Sequence, residues 1–414
     1  MKIIIEHLMR SSLKNIRECS VQLVFCLSLI LPGQTTAAIR IPFRYVQNFI
    51  VLDLKLEHVL PLKMIFDTGA EHHLLFDKKH TDLISNAYLR EVRVMGSDLQ
   101  QEIPALLTTP LDLGLTDRQH RNAQFVVLLE QIGSVSEMLG EQIDGILSAS
   151  IFADQVFEIN YKHHYIQIYE GLPSPKKLLG FGRCSLQIYK NKPFVNSNLT
   201  IARGTDPVAL NLLIDTGAGI SVLLYKSTQS TLALPDSLVP GKLGSGLGGL
   251  LNGFLARTEK LDFCNTSFDK VITSFQEINT EYSERESRFK QGLIGNQVLE
   301  KYTLLLDYMH STLYWKQITP DRTIRTDRSG MTLVAGGYEF NQFTVAHILP
   351  GSPADRMGIT TGDRILSVNR WPAGWLNLRQ IQRRLRRIGD EKVRLRISHE
   401  GHKKTLVLSL KDVI

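Results

Sequence analysis

The chain has 414 residues, 43% of them hydrophobic and 21% charged, with 30 glycines and 15 prolines. That composition leaves room for about two to four folded domains and excludes disordered and collagen-like chains. The formal charge of +7 sits at one end, where Ser329 to Ile414 holds 14 basic and 7 acidic residues while the preceding chain balances at 34 against 34. The body therefore carries no polyanion footprint, and nucleic acid is not an expected partner.

The first segment reads as an export signal. Lys14 and Arg17 precede an apolar run from Val21 to Leu31, followed by Pro32, Gly33 and the small residues Thr35, Thr36, Ala37 and Ala38. A run of about 11 residues is short for a hydrocarbon core about 30 Å thick, so residues 1–37 are expected to be a cleaved signal peptide. The alternative is a retained anchor with membrane or envelope association. Cleavage near Ala37 leaves residues 38–414, placed in a periplasm or envelope or secreted. Cys19 and Cys26 leave with the signal. Cys184 and Cys264 remain, either bridged or as two isolated thiols.

The rest of the chain repeats itself once. Met64-Ile65-Phe66-Asp67-Thr68-Gly69-Ala70 returns as Leu212-Leu213-Ile214-Asp215-Thr216-Gly217-Ala218, an offset of 148. Asp144-Gly145-Ile146-Leu147 returns as Gln291-Gly292-Leu293-Ile294, and Ile159-Asn160-Tyr161 as Leu306-Asp307-Tyr308, both at 147. In the first copy Asn48 to Leu56 predicts a strand, Val59 to Leu62 a turn, and Lys63 to Phe66 a second strand. The second copy predicts strands over Phe194 to Ala202 and Val208 to Ile214, joined by a turn at Gly204 to Pro207. Gly69 and Gly217 allow the chain to turn sharply and bring its amides back toward each carboxylate. One such Asp reads most simply as a turn cap. A repeated pair points to a shared site: two carboxylates about 3 Å apart hold one proton between them and present an acid and a base together.

At these residues the sequence resembles the retropepsin-like aspartic proteases in a single-chain form, over Ile39 to Asp327. The resemblance implies a mostly β, pseudo-twofold bilobal acid-protease fold with halves at 38–180 and 181–327. It implies Asp67 and Asp215 as the catalytic pair, with Thr68, Gly69, Thr216 and Gly217 supporting the two loops. The implied reaction is peptide-bond hydrolysis by a water activated between the carboxylates, in a monomer, on protein or peptide substrates, with no metal and no cofactor. Flap hairpins are also implied, with Gly246, Leu247, Gly248 and Gly249 as the candidate tip in the second half and Val94 to Leu99 as its counterpart. The first half departs from the family pattern: Glu71-His72-His73 follows its tetrad, and Leu147-Ser148 stands where a second glycine is usual. His72 and His73 have no further ligand type at suitable spacing and read as structural or solvated.

From about Ser329 another pattern begins, with Gly351-Ser352-Pro353-Ala354 and Gly362-Asp363-Arg364-Ile365. It resembles a bacterial-type PDZ domain over 329–414. That implies an α+β module whose groove takes a peptide as an added strand, often by its C-terminal carboxylate. Gly330 and Met331 are the candidate peptide-binding positions. Leu378, Ile381, Leu385 and Ile388 predict an amphipathic helix over Asn377 to Gly389. Its other face carries Arg379, Arg383, Arg384, Arg386 and Arg387, which read as solvated, the alternative being acidic peptides or anionic envelope surfaces. The whole reads as an exported aspartic endopeptidase with a recruiting module whose removal spares hydrolysis of short peptides. The alternative is a catalytically silent scaffold acting through its PDZ domain.

Overall fold

Alternation of apolar and polar residues sets the first hairpin. In the strand Phe49–Leu56, Leu52, Leu54 and Leu56 are buried while Asp53 and Lys55 face outward. It pairs antiparallel with Leu60–Asp67 from Val51↔Ile65 to Leu56↔Leu60. The turn therefore lies at Glu57 and His58, both with positive φ (47° and 64°), and not at Val59 to Leu62. Leu60 belongs to the strand because it shares an inward face with Leu62, Met64 and Phe66.

A computed structural model describes residues 39–414 except 97–101, 131–134, 227–231, 233, 236, 247–248, 278–287, 290, 326, 387–391 and 414. The expected signal peptide lies outside the described residues. The chain is mostly β, a two-lobed body followed by an α+β domain. Each lobe has its own sheet. At the heart of the first, Gly145–Ser148 runs parallel to Leu60–Asp67 and antiparallel to His73–Leu75. The second repeats this with Gly292–Ile294 between Val208–Ile214 and Val222–Tyr225.

A third, six-stranded sheet takes strands from both lobes, and at its centre Val156–Asn160 pairs antiparallel with Tyr302–Asp307. Val156 faces Asp307 and Asn160 faces Thr303, pairs that exchange under the 147-residue offset of the repeat. The pseudo-twofold axis therefore passes through the pair Glu158↔Leu305. Glu158 is fully buried there, with the Tyr169 hydroxyl and the Lys177 ammonium each 2.7 Å from its carboxylate. Cys184 and Cys264 are bridged, tying the strand Gly182–Ser185 to the turn that follows Gly249–Phe263.

The C-terminal domain orders its main strands as Met331–Gly336, Gln342–Ile348, Arg364–Val368, Lys392–His399 and His402–Ser409 over a separate apolar core. Its principal helix spans Leu378–Leu385, capped by reciprocal hydrogen bonds between Asn377 and Gln380. It is shorter than the predicted 377–389. The Leu385 carbonyl accepts the Arg328 N–H at 3.1 Å, Arg386 closes the helix, and 387–389 lie outside the described residues. The first lobe's short helix Val135–Leu139 meets Met331–Gly336. A Cβ on Gly140 would lie 3.1 Å from Leu378 Cβ and 3.6 Å from Ala335 Cβ. One on Gly241, in the second-lobe strand Val239–Gly246, would lie 2.9 Å from Leu349 Cδ2.

Candidate active site

Each Asp-Thr-Gly segment leaves the end of a buried strand, and the lobes bring the two turns face to face. The threonines bind them together. Thr68 N–H donates to Thr216 Oγ1 and Thr216 N–H donates to Thr68 Oγ1, both at 3.0 Å. The Thr68 hydroxyl then donates to the Ile214 carbonyl at 2.6 Å, and the Thr216 hydroxyl to the Phe66 carbonyl at 2.9 Å. Both side chains are sealed from solvent, so all four bonds form without competing water.

This lock presses each glycine against the opposite carboxylate. A Cβ on Gly69 would lie 2.7 Å from Asp215 Cγ, and one on Gly217 would lie 2.2 Å from Asp67 Cγ. Only a residue without a side chain fits either place. Asp67 and Asp215 lie close enough for each to act on the other's ionisation.

The surroundings of the two acids differ. Asp67 Oδ1 accepts from the amides of Gly69 at 2.6 Å and Ala70 at 3.0 Å, whereas Asp215 Oδ1 accepts from Gly217 alone, at 2.8 Å. Burial pushes both pKa values above the usual carboxylate range. For Asp67 the rise is held back by its two amides and by Asp215 beside it. Asp215 is pushed much further, because the neighbouring Asp67 adds to burial. The two acids therefore titrate as a pair, with Asp215 pushed further from its ionised form than Asp67.

The departures in the first half have structural jobs. Ser148, paired with Asp67 in the parallel ladder, donates its hydroxyl to the Ala70 carbonyl at 2.7 Å. Its N–H donates to His73 Nδ1 at 3.1 Å. The His73 ring thus accepts in its neutral form, and burial lowers its pKa to about 4. In the second half Gly295 stands beside Asn296, whose side-chain amide donates to the carbonyls of Thr216 at 2.6 Å and Asn48 at 2.7 Å. Asn296 thereby ties the second turn to the first lobe's opening hairpin.

Two buried polar positions were missed from sequence. Lys192 opens the strand Lys192–Thr200, largely buried, and its ammonium favours the ionised form of both acids. The hairpin registers, Val51↔Ile65 and Phe194↔Leu213, make it the counterpart of Phe49. The constant offset of the repeat conceals this, because the second hairpin is longer. The other is His80, buried with its Nε2 3.3 Å from Asp144 Oδ1, while Asp144 Oδ2 accepts the Lys63 N–H at 2.8 Å.

Of the candidate flap tip, Gly246 and Gly249 pair where the strands Val239–Gly246 and Gly249–Phe263 meet, and Leu247 and Gly248 lie outside the described residues. Its first-half counterpart is the hairpin of Tyr88–Met95 and Glu102–Thr108; Ser97 to Leu99 also lie outside. In the C-terminal domain Gly330 has φ 79° and its α-carbon lies so close to Ser352 that a Cβ would be 2.1 Å from that side chain. Met331 is buried at the start of an edge strand. The amides of Ser329 and Gly330 both donate to the Asp327 carboxylate, at 2.8 and 2.9 Å.

The PDZ domain family matches residues 317–398. No curated protein matches the chain. Among solved structures, the crystal structure of aspartic proteinase from Irpex lacteus is similar with a TM-score of 0.42 and 11% identity, covering 68% of this chain and 97% of that one.

Proposed function

We propose that this chain is an exported, retropepsin-like aspartic endopeptidase whose PDZ domain recruits protein substrates or partners. The single buried site formed by Asp67 and Asp215, locked by the reciprocal threonine bonds, carries this reading. A water held between the carboxyl groups attacks the scissile carbonyl carbon and gives its proton to Asp67, while Asp215 passes its proton to the carbonyl oxygen. The tetrahedral diol collapses as Asp67 returns a proton to the leaving nitrogen and the diol restores one to Asp215. Peptide and free amine leave, and no covalent intermediate forms. The hairpin that closes at Gly246 and Gly249 lies over the substrate backbone. The Cys184–Cys264 bridge supports an oxidising compartment and so an exported mature chain beginning near residue 38.

The test is cleavage of a denatured protein mixture between pH 3 and 8, beside Asp67→Asn and Asp215→Asn. Each variant is expected to lose at least a thousandfold in kcat while remaining folded. Substantial cleavage by either variant sinks the shared-site mechanism. A wild type inert at every pH favours the scaffold acting through its PDZ domain, since PDZ domains typically bind peptides.

A further inference from the structure

Away from the two acids, three potential metal ligands converge on the outer surface of the first lobe. His58 lies at the tip of the first hairpin, Asp112 on the strand Leu111–Thr116, and His120 on its antiparallel neighbour Gln119–Ala123. One donor atom from each falls within 4.8 Å of the other two. Asp112 Oδ1 stands 2.7 Å from His120 Nδ1 and 3.8 Å from His58 Nδ1, and the centroids of the two imidazole rings, tilted by 47°, lie 4.6 Å apart. Among the described residues no other such group of His, Cys, Asp or Glu occurs.

The surrounding backbone builds this cluster. Among the described residues, the pairs Gln47-Asn48, Lys190-Asn191 and Cys264-Asn265 have positive φ at both positions and end in Asn, a residue that tolerates that conformation. Glu57-His58 adopts the same geometry with histidine at the second place. Glu57 then clamps the turn to Asp112: its N–H donates to the Asp112 carbonyl, and its carboxylate accepts the Asp112 N–H, both at 2.9 Å. Gly114, paired with His120, leaves room for the ring, since a Cβ there would lie 3.2 Å from His120 Cε1.

We propose that His58, Asp112 and His120 form a site for a divalent transition-metal ion, with zinc as the best match. Two imidazoles and one carboxylate are a donor set that zinc takes and that iron(II) shares, whereas magnesium and calcium take oxygen ligands. Ligands about 2.0–2.1 Å from a tetrahedral zinc lie about 3.3 Å apart. The present separations of 2.7 and 3.8 Å straddle that value, all three donors lie within 4.8 Å of one another, and side-chain rotation brings them onto the ion. Three protein ligands leave the fourth position to water. The bound ion staples the first hairpin to the Leu111–Ala123 hairpin, and this role stands apart from the proposed proteolysis.

The test is zinc binding to the full chain by calorimetry, beside His58→Asn, Asp112→Asn and His120→Gln. His58→Asn keeps the turn, because asparagine occupies the equivalent place in the other three hairpins. The wild type is expected to bind zinc with Kd below about 10 μM, and each variant to bind at least tenfold more weakly. Zinc at about a hundredfold over Kd is expected to raise the wild-type unfolding midpoint by roughly 5 °C, and that of His58→Asn by much less. A wild type that takes up no zinc at about 100 μM, or a His58→Asn variant that binds as tightly as wild type, overturns the site.

Discussion

Thr68 and Thr216 exchange main-chain to side-chain hydrogen bonds across the lobe boundary at 3.0 Å in each direction. Every other feature of the site is referred to this pair, because it fixes the distance between two turns 148 residues apart in the chain. Replacing Thr216 by Val keeps the shape but leaves the buried Thr68 N–H without an acceptor. A cost of about 1–3 kcal/mol is expected. The unfolding midpoint should fall by several degrees and peptidase activity by more than the stability loss explains, while Thr216→Ser retains both. A Val variant as active as wild type would detach the lock from function.

Lys192 predicts a pH effect of definite sign. Its ammonium stabilises the charged form of Asp67 and of Asp215. Without it both protons are held more tightly, so both limbs of the kcat/KM profile of Lys192→Met are expected to move to higher pH. An unmoved profile, or one shifted toward acid, would show that the lysine does not act on the pair.

His73 makes the fold sensitive to acid. Its folded pKa, about 4 through burial, lies below the ordinary value of 6.5. The unfolded chain therefore binds the proton more readily, and stability is fully present above pH 6.5 and lost as pH falls toward 4. The loss is on the order of 3 kcal/mol across that window. His73→Asn keeps an acceptor for the Ser148 N–H and removes the titration. Urea unfolding at pH 7 and pH 5 should show a clear drop for wild type and a much smaller one for the variant. Equal drops would assign the acid sensitivity elsewhere.

The PDZ domain touches the two-lobed body where coupling would matter. Leu349 packs over Gly241, in the strand that leads to the candidate flap. Leu349→Ser is expected to lower kcat/KM on short peptides several-fold with little change in unfolding midpoint. This differs from the sequence-based expectation that the domain is dispensable for short peptides. An unaltered kcat/KM would restore the independent-module reading.

Much of the site was legible as a pattern. Asp67 and Asp215 share a repeat, and each precedes a glycine at a strand end. The helix at Leu378–Leu385 announced itself by apolar spacing, but it closes at Arg386, where the Leu385 carbonyl accepts the Arg328 N–H. Turn placement failed where pairing overrode composition: Val59 to Leu62 looks like a turn, yet the inward face of Leu60, Leu62, Met64 and Phe66 draws it into the sheet.

Internal repetition and local patterning indicated two related halves rich in short strands followed by a different pattern, and the family resemblances of those motifs implied a mostly β body and a distinct C-terminal module. Tertiary structure alone decided what depends on distances between remote segments. It set the axis through Glu158 and Leu305, put Lys192 where the first half has Phe49, and gave Asp67 two amides where Asp215 receives one. It also joined His58 to His120 around Asp112. A repeat says which residues correspond, but the charge, burial and reach of a side chain depend on neighbours that only the folded backbone supplies.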